Sequence, residues 1–498
     1  IRKASRLMRW ACPAWMEVGL PVDRLTRADT PRPKTGIVHL GLGAFFRGFG
    51  CVYTADAMTA SGGDWGIIGV SLRSPAVHDA LAPQGWAYNS VMLAPEGAKT
   101  RVIDILNDVL IAPEDPGAVL AAMTEADVKI VSLTVTEKGY CHNPATGALN
   151  PNHPDILHDL THPLPVSAPG FLVRALQMRR EAGLAPFTVL TCDNLPENGK
   201  LVRGIVLDLA RRIDPALADW IAAQVTFPAT MVDRITPATT DDDISLVARL
   251  TGYYDAAPVM HEPFSQWAIE DSFIGGERPD WAAAGAEMVV DVTPHEDMKL
   301  RMLNGTHSAL AYLGYLGGHE TISAVIQDSA YAGFVSQLWA KEIAPSIRPP
   351  QGVSLGDYAS ALADRYANPA IKHRTWQIAM DGSQKLPQRI LGTLAYNMAH
   401  NIQSPRLCLA VAAWIRYVSG TDEVGQPIDV RDPMSERLRH VTAAAPTPAA
   451  KAAAILAMAE IFPAELAEKI APMVISATEQ IWKSGARRAI TKLMENQL

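Results

Sequence analysis

Gly36-Ile-Val-His-Leu-Gly-Leu-Gly-Ala-Phe-Phe-Arg-Gly48 sets a short apolar, β-branched run directly before a glycine turn, and a helix-compatible stretch continues through Ala60. Strand, tight turn and helix is the opening order of a dinucleotide-binding α/β unit. In such a unit Gly41 and Gly43 would let the backbone approach a pyrophosphate at the helix N-terminus. The spacing here is GxGxxxxG, whereas the usual fingerprint is GxGxxG. Glycine turns after strands are common, so this stretch alone leaves a plain structural turn standing as the alternative.

Further strands strengthen the reading. A second apolar run, Trp65 to Leu72, falls where the next strand of such a unit ends near an adenosine ribose. The acid expected there is replaced by Ser71-Leu-Arg73-Ser-Pro75, so Arg73 is either a reader of a 2′-phosphate or a solvated loop residue. Val128 to Thr136 and Phe187 to Asp193 read as buried strands, the second ending in Asn194-Leu-Pro-Glu-Asn-Gly199. Open α/β sheets bind ligands at the C-terminal ends of their strands, which is where Thr136 and Asn194 stand. Met231-Val-Asp-Arg-Ile-Thr-Pro237 follows, with Asp233 and Arg234 open to two readings, a structural ion pair or ligand contacts.

Strand signals fade after Val289-Val-Asp-Val292, and the period becomes helical: 299–316, 355–366, 371–380, 389–401, 407–418, then an Ala-rich series. The expected fold is an N-terminal α/β Rossmann-like dinucleotide-binding domain over residues 31–290, after an extension over 1–30. An all-α C-terminal domain over 291–498 follows it. Just past that seam stands Asp297-Met-Lys-Leu-Arg-Met-Leu-Asn-Gly-Thr-His-Ser308. At 100° per residue on one α-helix, Lys299 falls at about 0°, His307 at about 80° and Asn304 at about 140°. All three then border one cleft, while Leu300, Leu303 and Leu310 anchor the helix. A lysine held against apolar walls loses hydration, and its pKa falls toward that of a proton acceptor. The alternative is an amphipathic helix with a solvated lysine and a satisfied histidine. Clefts between domains are favoured ligand sites, which supports the functional reading.

Composition narrows the class. The 498 residues exceed one ordinary core, 48% are hydrophobic and 19% charged, and the net charge of -8 gives no footprint for nucleic acid. Five scattered cysteines with no CxxC pair, and histidines with no HExxH spacing, lead us to expect reduced thiols and no metal. The basic N-terminal residues Arg2, Lys3, Arg6 and Arg9 lack the apolar run of a secretory signal, and no window approaches a membrane span. A cytoplasmic enzyme, with no nucleic-acid or membrane partner, is the expectation.

Five stretches, in order, carry a resemblance: Gly41-Leu-Gly-Ala-Phe-Phe-Arg47, Thr134-Val-Thr-Glu-Lys-Gly-Tyr140, Cys192-Asp-Asn-Leu-Pro-Glu-Asn-Gly199, Met231 to Pro237, and Lys299-Leu-Arg-Met-Leu-Asn-Gly-Thr-His307. Together they resemble the long-chain mannitol dehydrogenase family, from about residue 36 to beyond residue 430. Lys299 to Gly318 and His373 to Gln388 are most similar to its branch acting on sugar acids.

The resemblance implies an NAD(P)-dependent, metal-independent oxidoreductase interconverting D-mannonate and D-fructuronate, with a polyol 2-dehydrogenase of the mannitol or arabinitol type as the alternative. It implies Lys299 as the acid/base, Asn194 and Asn304 as donors to the reacting oxygen, His307 orienting hydroxyls and Glu296 linking the lysine to solvent. NAD is the expected cofactor, NADP being left open, with Gly41, Leu42, Gly43, Ala44, Phe45, Arg47, Ser71, Arg73 and Thr136 as its contacts. Asp233, Arg234, His373, Arg374, Gln377 and Lys385 are the substrate candidates. A uronate needs a cation for its carboxylate, and Lys385, Arg374, His373 and Arg234 remain equal candidates for it.

Two departures stand out. The family pattern has histidine where this chain has Phe46 and again near Phe49, and Gln377 stands where mannitol-active members have an arginine. The small-molecule partner is a sugar acid or polyol, and the expected state is a monomer or weak homo-oligomer. A nucleotide-binding regulator without turnover is the rival from another class, disfavoured because Lys299, Asn194, Asn304 and His307 are all present.

Overall fold

Alternation along the first strand decides how the sheet is covered, because each residue faces one side and the next the other. In the computed structural model, which describes residues 23–143 and 146–495, the strands are as follows. They are β1 (Thr35–Leu40), β2 (Gly66–Ser71), β3 (Tyr88–Ala94), β4 (Gly97–Ile103), β5 (Leu106–Ile111) and β6 (Ile130–Leu133). The rest are β7 (Thr188–Thr191), β8 (Thr230–Asp233), β9 (Val259–His261), β10 (Gln266–Glu270) and β11 (Glu287–Val289). Val38 and Leu40 of β1, Val131 and Leu133 of β6 and Val189 of β7 enter one apolar core. Ile37, Ile130 and Leu190 enter the other. A parallel sheet buried on both faces is the result.

That sheet has the order β5-β2-β1-β6-β7, with every pairing parallel. Successive strands run to one side of β1 and then to the other, so the topological switch lies between β1 and β6, at their C-terminal ends. Helices Ala168–Glu181 and Asn198–Ile213 cover the first face, and Gly50–Ser61 the second. Two three-stranded sheets, β11-β10-β8 and β4-β3-β9, complete this α/β unit.

Of the expected extension over residues 1–30, residues 1–22 lie outside the described residues. Residues 23–25 join the first unit, where the Leu25 amide donates to the Tyr254 carbonyl at 2.8 Å. The chain divides into two compact units, Ile1–Val290 and Asp291–Leu498.

The second unit is helical among its described residues. Helix Pro405–Val418 runs through its core with all but two of its residues buried, and Thr306–Leu316 has all but one buried. An apolar helix of this kind is packed on all sides. Its N-terminus is held by Glu342, whose carboxylate accepts from the Arg406 amide at 2.9 Å, the Leu407 amide at 2.9 Å and the Arg406 guanidinium at 3.0 Å. The side chains of Arg406 and Glu342 are 1% and 0% exposed, so neither charge has water to fall back on. Glu342→Ala is expected to lower stability by about 3–5 kcal/mol, because Arg406 would be left buried without its counter-charge. Urea denaturation measures this, and a loss below about 1 kcal/mol would reduce the pair to the weight of a surface contact.

Candidate active site

Backbone geometry at the glycine turn leaves little choice of residue. Gly41 has φ +89°, and a Cβ there would lie 2.2 Å from the Thr134 carbonyl oxygen, so only glycine fits between β1 and β6. Gly43 differs, since a Cβ would meet nothing closer than 3.8 Å and the missing side chain leaves open space instead. The Gly41 and Leu42 amides are spent on the Val70 carbonyl, at 2.9 and 3.2 Å. Gly43 caps the following helix, Ala44–Gly48, without any side-chain hydrogen bond. A turn open on its outer side, followed by an uncapped helix start at the switch point, suits a pyrophosphate.

The remaining residues proposed for the cofactor divide into two sets. Ser71 is buried at the end of β2 and Arg73 is exposed just beyond it. Arg47 is turned inward, where it donates to the Ala257 carbonyl at 2.7 Å and lies over the Tyr88 ring, so its guanidinium supports the core rather than a ligand. Leu42 packs against Gly69, and Phe45 stacks on Phe49 with centroids 5.0 Å apart. The two unusual phenylalanines are core residues. Phe46 stacks on His39 at 3.3 Å, and Phe49 is fully buried against Tyr53 and Trp267. His39 itself bridges the Ser132 and Thr134 hydroxyls at 2.8 Å each, and burial holds it well below the usual histidine range.

Asp193, which the sequence did not single out, organises the adjoining strand ends. Its carboxylate accepts from the Val135 amide at 2.9 Å, the Thr136 amide at 3.0 Å and the Tyr140 hydroxyl at 2.6 Å. Thr136 sits at φ +63°, a strained setting for a β-branched residue, and these bonds hold it there. Burial pushes the Asp193 carboxyl up, against the pull of Tyr140 and the two amides. Asn198, fully buried, bridges the Asp193 and Thr230 carbonyls and so fixes the turn carrying the exposed Asn194. Asp233 is buried at the end of β8. Arg234 donates to the Phe264 and Gly48 carbonyls at 3.1 and 2.7 Å, a structural use of its guanidinium.

In the second unit the segment around Lys299 is not one α-helix. An α-turn, Thr293–Met298, passes into a π-helix over Lys299–Gly305 and returns to α at Thr306–Leu316. A π turn closes on the fifth residue, so Lys299 and Asn304 stand one turn apart on the same face instead of about 140° apart. The carbonyls displaced by the wider turn find side-chain donors. Trp339 Nε1 donates to the Met302 carbonyl at 3.2 Å and the Thr306 hydroxyl at 2.8 Å, and the Tyr366 hydroxyl donates to Leu303 at 3.0 Å. Gly305 is the position of closest approach, since a Cβ there would lie 2.6 Å from the Arg389 carbonyl oxygen. Trp339 and Arg389 lie in two further π segments, Trp339–Ile343 and Pro387–Leu391. No periodicity in the sequence announces any of the three.

Lys299 is 7% exposed and His307 6% exposed, so the alternative of a solvated lysine is excluded. The His307 ring lies 4.7 Å from Tyr366 and 5.1 Å from His373. Its Nε2, like His373 Nδ1, is buried with no hydrogen-bond partner. Burial, with His373, Arg365 and Arg389 adding to it, holds His307 well below the usual range. Burial, then Arg389 and Lys385, lowers His373 to about 4, and burial with Arg389 lowers Lys385 to about 8. Arg374 does not join this group, because it faces Glu320 at 3.3 Å on the surface. Gln377 is exposed on the short helix Thr375–Ile378, where a helix over 371–380 was expected.

One cluster has the makings of a metal site. Donor atoms of Cys141, His153 and Asp155 lie within 4.8 Å of one another. His153 Nδ1, however, already accepts from the Asp155 amide at 3.2 Å as a helix cap. Burial, with Asp155 and Asp159, raises the Cys141 thiol to about 12.

An open parallel sheet with a glycine turn at its switch point, and a helical unit carrying a buried lysine and imidazole beside a half-buried amide, define a nucleotide-dependent oxidoreductase. Residues 35–283 match the mannitol dehydrogenase Rossmann domain and residues 291–482 the mannitol dehydrogenase C-terminal domain. The chain belongs to the mannitol dehydrogenase family. It is 44% identical to D-mannonate oxidoreductase of Escherichia coli over 96% of this chain and 99% of that protein. It is 41% identical to mannitol 2-dehydrogenase of Neosartorya fischeri over 82% of each. Among solved structures, the ternary complex of Pseudomonas fluorescens mannitol 2-dehydrogenase with NAD and D-mannitol matches with a TM-score of 0.81, 35% identity and coverage of 96% and 97%. The family resemblance and the Rossmann-plus-helical fold read from the sequence are thereby borne out.

The histidine pair makes the helical unit acid-sensitive. An unfolded histidine takes up its proton near pH 6.5, whereas folded His373 does so only at about 4, so between those values the unfolded chain binds more protons. The stability His373 contributes is therefore complete above about pH 6.5 and is lost as the pH falls to about 4. His373→Gln should remove about 2 kcal/mol of the wild-type protein's decline in stability between pH 7 and pH 4.5. Parallel urea titrations of the two proteins measure the difference, and identical declines would show that His373 contributes none of it.

Proposed function

We propose that the protein is an NAD-dependent dehydrogenase that interconverts D-mannonate and D-fructuronate, or a close sugar acid, with Lys299 as its acid/base. The observation that carries this reading is Lys299 itself, buried at the head of the π segment, one turn from Asn304 and followed by the neutral His307. The extensive identity with D-mannonate oxidoreductase supports the sugar-acid branch.

Oxidation of a secondary alcohol removes a hydride and a proton together, and the oxygen gathers negative charge as the hydride leaves. NAD, held by the turn at Gly41 and Gly43, would accept that hydride on oxidation and supply it on reduction. Lys299 takes the hydroxyl proton and returns it in the reverse direction, a task helped by burial, which penalises the ammonium more than the amine. Asn194 and Asn304 donate to the oxygen as its charge grows. His307, kept neutral, offers one donor and one acceptor to the substrate's other hydroxyls. Glu296, on the turn before Lys299, passes the proton to and from water.

Mannitol 2-dehydrogenases among the relatives keep a second reading open to test, the same chemistry on an uncharged polyol. Steady-state assays of NADH absorbance on D-mannonate, D-fructuronate, D-mannitol and arabinitol separate the two, and a clear preference for polyols overturns the first. Lys299→Ala should lower kcat by at least ~100-fold while NADH titration shows nearly unchanged binding. A fall of less than ~10-fold would remove Lys299 from the acid/base role.

A further inference from the structure

Three arginines that serve the fold of this protein each make two or more hydrogen bonds to protein acceptors. Arg406 pairs with Glu342 and Gln337, and Arg179 donates to the carbonyls of Ala185, Met123 and Glu125. Arg234 is bound to two carbonyls. Arg389 breaks this pattern. Among the described residues its one hydrogen-bond partner is the Ser308 hydroxyl, at a long 3.3 Å. No carboxylate oxygen among the described residues lies within ion-pair distance of it, although a guanidinium has five donors to satisfy.

Its position makes the omission informative. Arg389 belongs to the π segment Pro387–Leu391, whose backbone meets Gly305 at the end of the Lys299 segment, and Ser308 directly follows His307. Its charge reaches both imidazoles, His307 and His373, lowering the affinity of each for a proton. Lys385 lies four residues before Arg389, about one turn away, and like charges so spaced repel. Lys385 has a single hydrogen-bond partner as well, the Ile378 carbonyl at 3.3 Å. The acids whose charges reach Lys385 are Asp381 and Asp432. Asp432 is already committed to the Ser383 amide and hydroxyl and to the Met434 amide. Two repelling cations beside two neutral imidazoles, with no neutralising partner in contact, describe a seat for an anion supplied from outside.

We propose that Arg389, flanked by Lys385, binds the carboxylate of a sugar-acid substrate. A planar guanidinium matches a carboxylate through two parallel hydrogen bonds, which a lysine cannot do. The pair thus separates an aldonate or uronate from the polyol of equal length, in which an uncharged hydroxymethyl group would leave both cations unanswered. This deepens the function proposed above and rests on it.

The test compares wild type, Arg389→Gln and Arg389→Lys on D-mannonate and D-mannitol, with NADH titration as the check that each variant is folded. Arg389→Gln is expected to raise KM for D-mannonate about 10- to 100-fold with a much smaller change in kcat, the range for a lost hydrogen bond to a charged group. Its kcat/KM for D-mannitol should fall far less, and Arg389→Lys should restore only part of the D-mannonate KM. If wild type turns over D-mannonate well and Arg389→Gln leaves its KM unchanged, or damages both substrates equally, Arg389 is not the carboxylate seat and the sugar-acid function survives. If wild type uses polyols and no sugar acid, the functional reading itself fails and this inference falls with it.

Discussion

A π-helix survives only where its neighbours repair it, and in the helical unit that repair is what places the chemistry. The widened turn over Lys299–Gly305 loses the regular i to i+4 ladder and frees carbonyls that cannot be left bare inside a core. An indole, Trp339, and a phenol, Tyr366, take them up. Gly305, without a side chain, lets the Arg389 backbone close on the same segment. Were the segment to relax to α, Lys299 and Asn304 would swing apart around the helix and the lysine would lose the amide beside it. Trp339 and Arg389 come from other π segments, so one irregularity is held in place by two more.

What could be read in the sequence follows from the same physics. The parallel sheet was visible because a strand buried on both faces is a run rich in apolar and β-branched residues without polar alternation, as at Ile130 to Leu133 and Thr188 to Thr191. The glycine turn was visible because Gly41 has no substitute at its backbone angle. The edge strand β5 and the hairpin of β3 and β4 went unread. Their polar and apolar residues, such as Gly97 to Ile103 with most positions exposed, do not form such a run.

In the site, Lys299, Asn304 and His307 were found by residue type, but their arrangement was drawn on an α-helical wheel, which a π turn overrides without any change of residue type. Arg47 was misassigned because proximity to a glycine turn says nothing of which way a side chain points, and here it points to Ala257. Arg374 faces Glu320 on the surface, a pairing that residue type alone did not announce. Asp193 lies within a quoted stretch without a role being read for it, and Arg389 falls one residue beyond another. Asp193 matters through three hydrogen bonds to residues more than fifty positions away, and Arg389 through a partner it lacks.

Features that oppose stability are concentrated where ligands are expected, and features that favour it lie behind them. Thr136 is strained, Arg389 and Lys385 repel, and His307 and His373 are buried with ring nitrogens unbonded. A sequence shaped for folding alone would remove each of these, since strained backbone and unpaired buried polar atoms each cost on the order of 1–3 kcal/mol. The supporting structure is of the opposite kind. Glu342 pairs with Arg406 and accepts from two amides at the start of the Pro405–Val418 helix, and Asp193 accepts from two amides and a phenol. Within each unit, strained or unpaired groups stand beside saturated ones, so the cost of holding them in place is met during folding.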